Sequence, residues 1–300
     1  MKRARLIYNP SSGREEFQRR LPEVLDLFEQ VGYETSCHAT KGAGDASLAA
    51  SLAIERNFDL IIAAGGDGTL HEVVNGMAER DNRPPLGIIP AGTTNDFARA
   101  LGLPLRNVLG ASRSIIEGQP RAVDIGKINN RYFINIAGGG ALTDLTYEVP
   151  TRLKTLLGQL AYYIKGIEKL PFIRPSRVRI ETDEQIIDEE ITLFLISNSN
   201  SVGGLEKVAP HADLTDGLFD CIILRKTSLP DLVRIATNVI RGDHIKDPQV
   251  IYFQTKQLKV TSSSQVMLNL DGELGGQLPM SFSVLPQHIE VIMPQEQVKI

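Results

Sequence analysis

The sequence has few cysteines, no long apolar run and no strong excess of either charge. Its two cysteines, Cys37 and Cys221, lie far apart and match no metal or redox spacing, so a reducing, cytoplasmic setting is expected. The basic start MKRARLIYNP is followed by no signal-peptide core, and runs such as LIIAA and LFLIS are strand length, far below the roughly 20 residues of a membrane span. Any dealings with lipid are therefore expected at a membrane surface. Thirty-two basic against thirty-six acidic residues leave a net charge of −4, which gives no general attraction to nucleic acid. The five histidines (His38, His71, His211, His244, His288) form no metal-ligand pair at i, i+4, and no Ser-His-Asp or Cys-His arrangement can be read from spacing. There is no internal repeat and no low-complexity linker.

What is present is an ordinary globular composition, 42% apolar and 23% charged, over 300 residues, more than one core usually takes. Residues 1–126 alternate strand and helix: ARLIYN, REEFQRRLPEVLDLFEQVG with Pro22 starting or kinking its main part, YETSCHAT, DASLAASLAIERN, DLIIAAGG, TLHEVVNGMAER, LGIIPAG, NDFARALG and LRNVLGASRSIIEG. The continuous apolar run DLIIAAGG suits a strand buried on both faces of a parallel sheet. An open α/β domain is expected, with ligands at the carboxyl ends of its strands. Residues 127–289 change character. VDIGKINN-RYFINIAGG reads as a hairpin turning at Asn129-Asn130, and a helix follows with Leu153, Leu156, Leu157, Leu160, Ala161, Ile164, Ile167 and Leu170 at helical spacing. Then come short strands (SRVRIET, EEITLFLISN, GLFDCIILR, VIYFQT, KQLKVTS, VMLNL, FSVL, HIEVIMP) interrupted by the helix LPDLVRIATNVIRG. This predicts a mostly antiparallel β-sandwich, with residues from about 290 to 300 returning to the first domain and the active site in the cleft between the two.

Charge is unevenly spread. Thr151 to Arg179 holds seven basic residues (Arg152, Lys154, Lys165, Lys169, Arg174, Arg177, Arg179) against Glu168, and Glu181 to Glu190 then holds six acids. Such a basic face suits anionic lipid headgroups, and equally a solvated helix face or a domain contact.

Three glycine-containing turns link a strand to a helix. Asn9-Pro10-Ser11-Ser12-Gly13 favours a tight turn with exposed N–H groups ahead of a helix N-terminus that attracts anions. Gly65-Gly66-Asp67-Gly68-Thr69 lacks the Gly-Lys-Ser/Thr of a Walker A loop, and with His71 in the third-glycine place it is not a dinucleotide fingerprint. Asp67 would repel a polyphosphate unless a divalent cation or a transferable proton lay between them. Its alternatives are holding Mg²⁺ on phosphates, taking a proton from an acceptor hydroxyl, or capping the helix at Thr69. Pro90-Ala91-Gly92-Thr93-Thr94-Asn95-Asp96-Phe97 is the third turn, with Asn95 or Asp96 as capable N-caps. Together the three turns point to a nucleotide site.

NPSSG, GGDGTLHEVVNG and PAGTTNDFAR resemble the diacylglycerol kinase catalytic domain, whose family includes sphingoid and ceramide kinases and is distantly related to NAD and polyphosphate kinases. Asp213-x-x-Asp216-Gly217-x-Phe219 and Leu270-Asp271-Gly272-Glu273 extend the likeness across the chain, which is most similar to the soluble bacterial diacylglycerol kinases. The resemblance implies that residues 1–126 are the ATP-binding catalytic domain and 127–289 the lipid-substrate domain. ATP would be surrounded by Asn9, Pro10, Ser11, Ser12, Gly13, Thr40, Gly65, Gly66, Asp67, Gly68, Thr69, Leu70, His71 and Thr93. Asp67 and Asp96 would join a water and Mg²⁺ network at the phosphates, and Glu273 or Asp271 would be the general base toward the lipid hydroxyl. Asp213, Asp216 and the Leu218 carbonyl would hold a structural Mg²⁺. Arg14 and Lys165 would meet phosphate charge or a lipid headgroup. The implied activity is ATP- and Mg²⁺-dependent phosphorylation of diacylglycerol to phosphatidate by a cytoplasmic homodimer, peripheral at the inner membrane surface and without nucleic-acid partners. Alternatives are another acceptor (phosphatidylglycerol, a sphingoid base or NAD) or a nucleotide-binding regulator without catalysis. EVVNG and GTTNDFAR speak against NAD, and the carboxylate set Asp67, Asp271 and Glu273 speaks against a pure binder.

Overall fold

In the computed structural model, which describes residues 1–140 and 175–294 (side chains of 14–16 and 229 excepted), the chain divides into two units, Met1–Asp124 with the residues from Gln287 on, and Ile125–Pro286. In the first unit β1 (Lys2–Tyr8), β2 (Tyr33–Ala39), β3 (Leu60–Gly65) and β4 (Leu86–Pro90) form a parallel sheet of order β4-β3-β1-β2, to which Val291 of the C-terminal strand adds beside Leu86. Every residue of β3 and β4 is buried, whereas β2, at the sheet edge, is largely half-exposed; continuous apolar runs occupy the middle because both faces are covered there. The chain leaves β1 toward β2 and then crosses to β3 on its other side. β1 and β3 therefore flank the point where the winding reverses, the place in open α/β sheets where ligands bind beyond the carboxyl ends.

Helices α1 (Glu16–Gln30), α2 (Asp45–Glu55), α3 (Asp67–Met77), α4 (Asp96–Ala100) and α5 (Val108–Glu117) complete the alternation. α1 and α5 cover one face, where Phe17, Val24 and Phe28 pack with Leu6, Ile62, Ala64, Ala111 and Ile115. Helix α1 begins at Glu16 after a 3-10 turn (Ser12–Glu15) and runs through Pro22, so of the two expected roles, starting or kinking the helix, the proline does not take the first. Pro22 lies on the exposed side, while Phe17 and Phe28 are at most 1% accessible. Each buried phenylalanine contributes about 1.5–3 kcal/mol, enough together to offset the roughly 3 kcal/mol that an interior proline costs.

The second unit is antiparallel. Its elements are β5 (Gln119–Ile128), β6 (Arg131–Phe133), β7 (Ile136–Gly140), β8 (Ser176–Glu181), β9 (Ile186–Ser197), β10 (Phe219–Arg225), α6 (Leu229–Val239), β11 (Val250–Thr255), β12 (Gln257–Ser262), β13 (Met267–Leu270), β14 (Glu273–Gln277) and β15 (Met280–Met293), the first and last strands beginning and ending in the other unit. The order β14-β13-β7-β9-β8-β12-β15 is joined by β10, which pairs with β9 and β11. One core, including Phe133, Val178, Phe194, Phe219, Leu268 and Phe282, is enclosed by these strands. α6 and the chain around Val208 cover the other face of β10 through Ile222, Leu224, Leu232 and Ile235.

The α/β and antiparallel β classes expected from the sequence are those observed, with local corrections. Ile128 pairs with Arg131 across Asn129-Asn130, as the hairpin reading requires, but RYFINIAGG is two strands separated by a bend at Ile134-Asn135. FSVL and HIEVIMP are one strand, β15, in which Gln287 has a positive φ of 47°. ELGGQ is a strand, β14, that its glycines concealed. Arg177 and Arg179 lie on β8, the strand that SRVRIET predicts, and are bonded to Asp188 (2.8 Å) and Glu181 (2.6 Å), so this end of the basic run is paired with the acidic run. The apolar helical stripe from Leu153 to Leu170 and Lys165 lie outside the described residues, as does the Arg14 side chain. Among the described residues, no helix is long and apolar enough to cross a membrane.

Candidate active site

The sheet ladder of the first unit continues one residue past its strands. The N–H of Asn9 donates to Ala64 O (3.1 Å), that of Thr40 to Tyr8 O (2.9 Å) and that of Ala91 to Gly65 O (2.8 Å), which brings the turns after β1, β2, β3 and β4 to one rim. Asn9 shapes the first turn, because its Oδ1 accepts both the N–H (3.0 Å) and the hydroxyl (2.8 Å) of Ser11. Gly13 has φ +56°, and a Cβ there would sit 2.2 Å from the carbonyl oxygen of Ala91. A Cβ on Gly92 would lie 2.4 Å from the Cα of Gly66, so the second and third turns also meet backbone to backbone. Three glycine turns thus pack with no side chain between them, bringing the backbone of Ser11–Gly13, Gly66–Thr69 and Gly92–Thr93 into one neighbourhood, where the N–H groups of Ser11, Ser12 and Gly92 are already donated to Asn9 and Asn95. Ser11, Gly13 and Thr93 are exposed, whereas Pro10, Ser12 and Thr40 are half-buried.

Asp67 is the first residue of α3, and the N-cap position is held by Gly66, so Asp67 is not the N-cap residue itself. A half-buried carboxylate in the first helical turn is favoured by the helix dipole by about 0.3–1 kcal/mol. Gly65 and Thr69 fit each other closely, since a Cβ on Gly65 would be 2.4 Å from the Thr69 hydroxyl. Leu70 and His71 are both 5% accessible, their side chains turned into the unit. In the third turn Asn95 occupies the N-cap of α4 but makes no side-chain cap bond. Its Oδ1 instead accepts the N–H of Gly92 (2.9 Å) and its Nδ2 donates to Gly92 O (3.0 Å), locking the loop, and Asp96 follows it nearly buried, at 9% accessible.

In the second unit, Leu270 pairs with Glu273 across Asp271-Gly272, both with positive φ (51° and 96°), a two-residue hairpin of the kind that favours Asp-Gly. The Asp271 carboxylate accepts three consecutive backbone N–H groups, those of Ile134 (2.8 Å), Asn135 (2.8 Å) and Ile136 (3.0 Å). Glu273, two residues on, is exposed at the start of β14. Asp213 Oδ1 accepts from the N–H (2.9 Å) and hydroxyl (2.7 Å) of Thr215, and Asp216 Oδ1 from the N–H of Leu218 (2.9 Å), with Gly217 at φ +72° in the turn. Among the described residues no three His, Cys, Asp or Glu side chains cluster as a metal site. A cation at this turn would rest on two carboxylates, the Leu218 carbonyl and water.

Comparison with known proteins extends this geometry. Residues 3–128 match the model of the diacylglycerol kinase catalytic domain, and residues 143–293 that of the YegS C-terminal NAD kinase beta sandwich-like domain. A protein of Bacillus subtilis (strain 168) named diacylglycerol kinase is 59% identical over 99% of this chain and 98% of its own length. The chain belongs to the diacylglycerol kinase family. A Staphylococcus aureus (strain MRSA252) relative of the same name is 52% identical over 98% of this kinase and 93% of its own length. A crystal structure from Bacillus anthracis (strain Sterne) superposes with a TM-score of 0.86 at 27% identity, covering 99% of this chain and 97% of that one. The chain is accordingly a kinase.

Sequence reading missed residues of this kinase that support the rim. The Glu72 carboxylate accepts the N–H groups of Gly44 (2.9 Å) and Ala46 (3.1 Å), so the helix that begins at Asp67 caps α2. Asp45 Oδ2 accepts the N–H of Lys41 (2.8 Å) and lies 3.1 Å from His38 Nε2, closing the turn that carries Thr40. The Lys41 N–H is the main cause of a lowered Asp45 pKa, with burial opposing it and His38 assisting. In the second unit Asp220 is fully buried, bonded by the Tyr252 hydroxyl and by Gln254 Nε2 (3.2 Å), and burial pushes its carboxyl up. Of the remaining histidines, His244, 3% accessible, bonds Val208 O through Nε2 (2.8 Å), His288 Nε2 accepts the N–H of Glu79 (2.9 Å), and the exposed His211 lies edge-on to Tyr252. Glu72 lies inside the quoted GGDGTLHEVVNG stretch, but its partners Gly44 and Ala46 are 28 and 26 residues away, and no local pattern announces them.

Proposed function

We propose that this kinase transfers the γ-phosphoryl group of ATP to the free hydroxyl of diacylglycerol, releasing ADP and phosphatidate. The observation that carries the nucleotide half is the backbone-to-backbone packing of Gly13 on Ala91 and of Gly66 on Gly92 at the strand ends, a rim without intervening side chains that phosphate oxygens can approach closely. The acceptor is that of the relatives named diacylglycerol kinase, which align over nearly the whole chain.

In this reading ATP lies on Asn9–Gly13, Thr40, Gly65–His71 and Thr93. Leu70 and His71 contribute through backbone and packing, since their side chains are buried. Asp67 and Asp96, each in the first turn of a helix, would hold Mg²⁺ through water; when bound, the ion supplies charge neutralisation at the β- and γ-phosphates. Hard carboxylate oxygens fit such an ion. Glu273 accepts the hydroxyl proton while the acceptor oxygen bonds to phosphorus and the bond to the leaving ADP oxygen breaks. Asp271 is the weaker candidate for base, because its two oxygens already serve three amides. Asp213, Asp216 and the Leu218 carbonyl would hold the structural Mg²⁺. Arg14 and Lys165 are assigned to anionic headgroup or phosphate charge, on a homodimer that works cytoplasmically at the inner membrane surface. The test is ATP consumption with diacylglycerol, phosphatidylglycerol, sphingosine and NAD offered separately in mixed micelles. Phosphatidate from diacylglycerol is the expected result; turnover of another acceptor alone, or of none, overturns the assignment.

A further inference from the structure

The hairpin that carries Glu273 is a poor platform by itself. β13 has four residues and β14 five, their register shifts between Leu268 and Asn269, and β14 contains Gly275 and Gly276, the latter at φ +102°. A base placed on so short and glycine-rich a ribbon needs external fixing, because small displacements of a catalytic group are expensive. β13 is held by its ladder to β7, Leu268–Leu270 opposite Ala137–Gly139, and the tip of the hairpin beyond that ladder is fixed through Asp271. Besides the three N–H groups its carboxylate accepts, its own N–H donates to Ile136 O (3.0 Å), so the tip of the hairpin is clamped to the bend Ile134-Asn135.

That bend is itself held from behind by the chain just after β9. The Asn135 carbonyl accepts the N–H groups of Asn198 (2.8 Å) and Ser199 (3.3 Å), and Asn198 Nδ2 donates to Ile134 O (3.0 Å). The Ser199 hydroxyl donates to Asn135 Oδ1 at 2.8 Å. Asn135 is 4% accessible, and Asn198 and Ser199 are wholly buried. Polar side chains this deeply buried are held by the bonds they make, and the bonds just given lead to the bend that meets Asp271, with Ser201 O (3.4 Å) as a second acceptor for the Ser199 hydroxyl.

Resting on the assignment of Glu273 as proton acceptor, we infer that Asn135 and Ser199 are positioning residues for it. They set the bend, the bend sets Asp271, and Asp271 sets the hairpin from which Glu273 projects. Neither residue touches the substrates in this scheme, so their effect on the reaction passes through Glu273 alone.

The experiment is a double-mutant cycle on the full chain with diacylglycerol in mixed micelles, reading kcat, KM for ATP and the thermal midpoint. Ser199→Ala and Asn135→Ala are each made in the wild-type and in the Glu273→Gln background. With Glu273 present, each is expected to lower kcat by about tenfold or more with KM for ATP unchanged. In the Glu273→Gln background the same substitutions are expected to cause no further loss. Equal fold-losses in both backgrounds, or no loss in either, overturn the inference. Wild-type kcat in the single Glu273→Gln variant removes the proton acceptor itself, a different reading of a different sample. Should Asn135→Ala give no cooperative melt, Ser199→Ala decides, since it deletes only one hydroxyl.

Discussion

Asp271 Oδ1 accepts the backbone N–H of Asn135 at 2.8 Å across 136 residues of chain, and this bond, with those from Ile134 and Ile136, makes Asp271 an anchor rather than a free carboxylate. Asp271→Asn turns a two-oxygen acceptor into one that presents an amide donor to backbone N–H groups. A stability loss of about 1–3 kcal/mol is expected in urea unfolding. Glu273→Gln should instead leave the unfolding curve in place and lower kcat by about 10²–10⁴-fold. The reverse pattern would exchange the two roles.

Gly92→Ala puts a methyl group 2.4 Å from the Cα of Gly66, so one turn must move. KM for ATP is expected to rise at least about tenfold, since contacts to the phosphates depend on the position of both turns. Gly42→Ala, where a Cβ meets nothing within 4 Å, is the control and leaves KM as it was. Indistinguishable kinetics for the two variants would separate the rim from nucleotide binding.

Removing the cap that Glu72 supplies to α2 leaves the N–H groups of Gly44 and Ala46 without their carboxylate. Glu72→Ala is expected to cost about 1 kcal/mol, seen as a fall of roughly 2–4 °C in Tm. A melting point at the wild-type value would refute the cap.

Burial pushes the His244 pKa below its ordinary value, with the bond to Val208 and the nearby Asp243 opposing the shift. The unfolded chain therefore binds the proton more readily, and the stability that His244 contributes while neutral is lost as pH falls from about 6.5 toward its lower folded pKa. His244→Gln is expected to flatten the dependence of ΔG on pH across that window in urea titrations. An unaltered slope would assign the dependence to other groups.

At the turn of Asp213 and Asp216, loss of a carboxylate should weaken binding of a cation that stabilises only the folded state. Asp216→Ala is expected to lower Tm in Mg²⁺ and to flatten the rise of Tm with added Mg²⁺. Equal responses in variant and wild type would remove the structural site.

Much of the first unit was legible because its signals are local. DLIIAAGG and LGIIP are apolar at successive positions, as strands covered on both faces must be, and each runs into a glycine turn and a helix. The antiparallel unit was read less evenly. ELGGQ shows neither alternation nor β-branched residues, and it is a strand because the Asp271-Gly272 turn folds it back on β13. RYFINIAGG shows no break in composition, yet it bends at Ile134-Asn135, where three N–H groups turn to Asp271. The roles left open between Asp271 and Glu273 differ by hydrogen bonds that no local pattern encodes.

By itself the sequence determined the alternation of elements, the buried middle strands and the residues able to form close phosphate turns, since periodicity, apolar runs and glycine act within a few residues. Only the tertiary structure decided that Gly13 meets Ala91, that Glu72 caps α2 and that Asp271 is spent on Ile134–Ile136. Those relationships join residues between 26 and 137 positions apart, and a hydrogen-bond partner at that range is selected by packing, not by its neighbours in the chain.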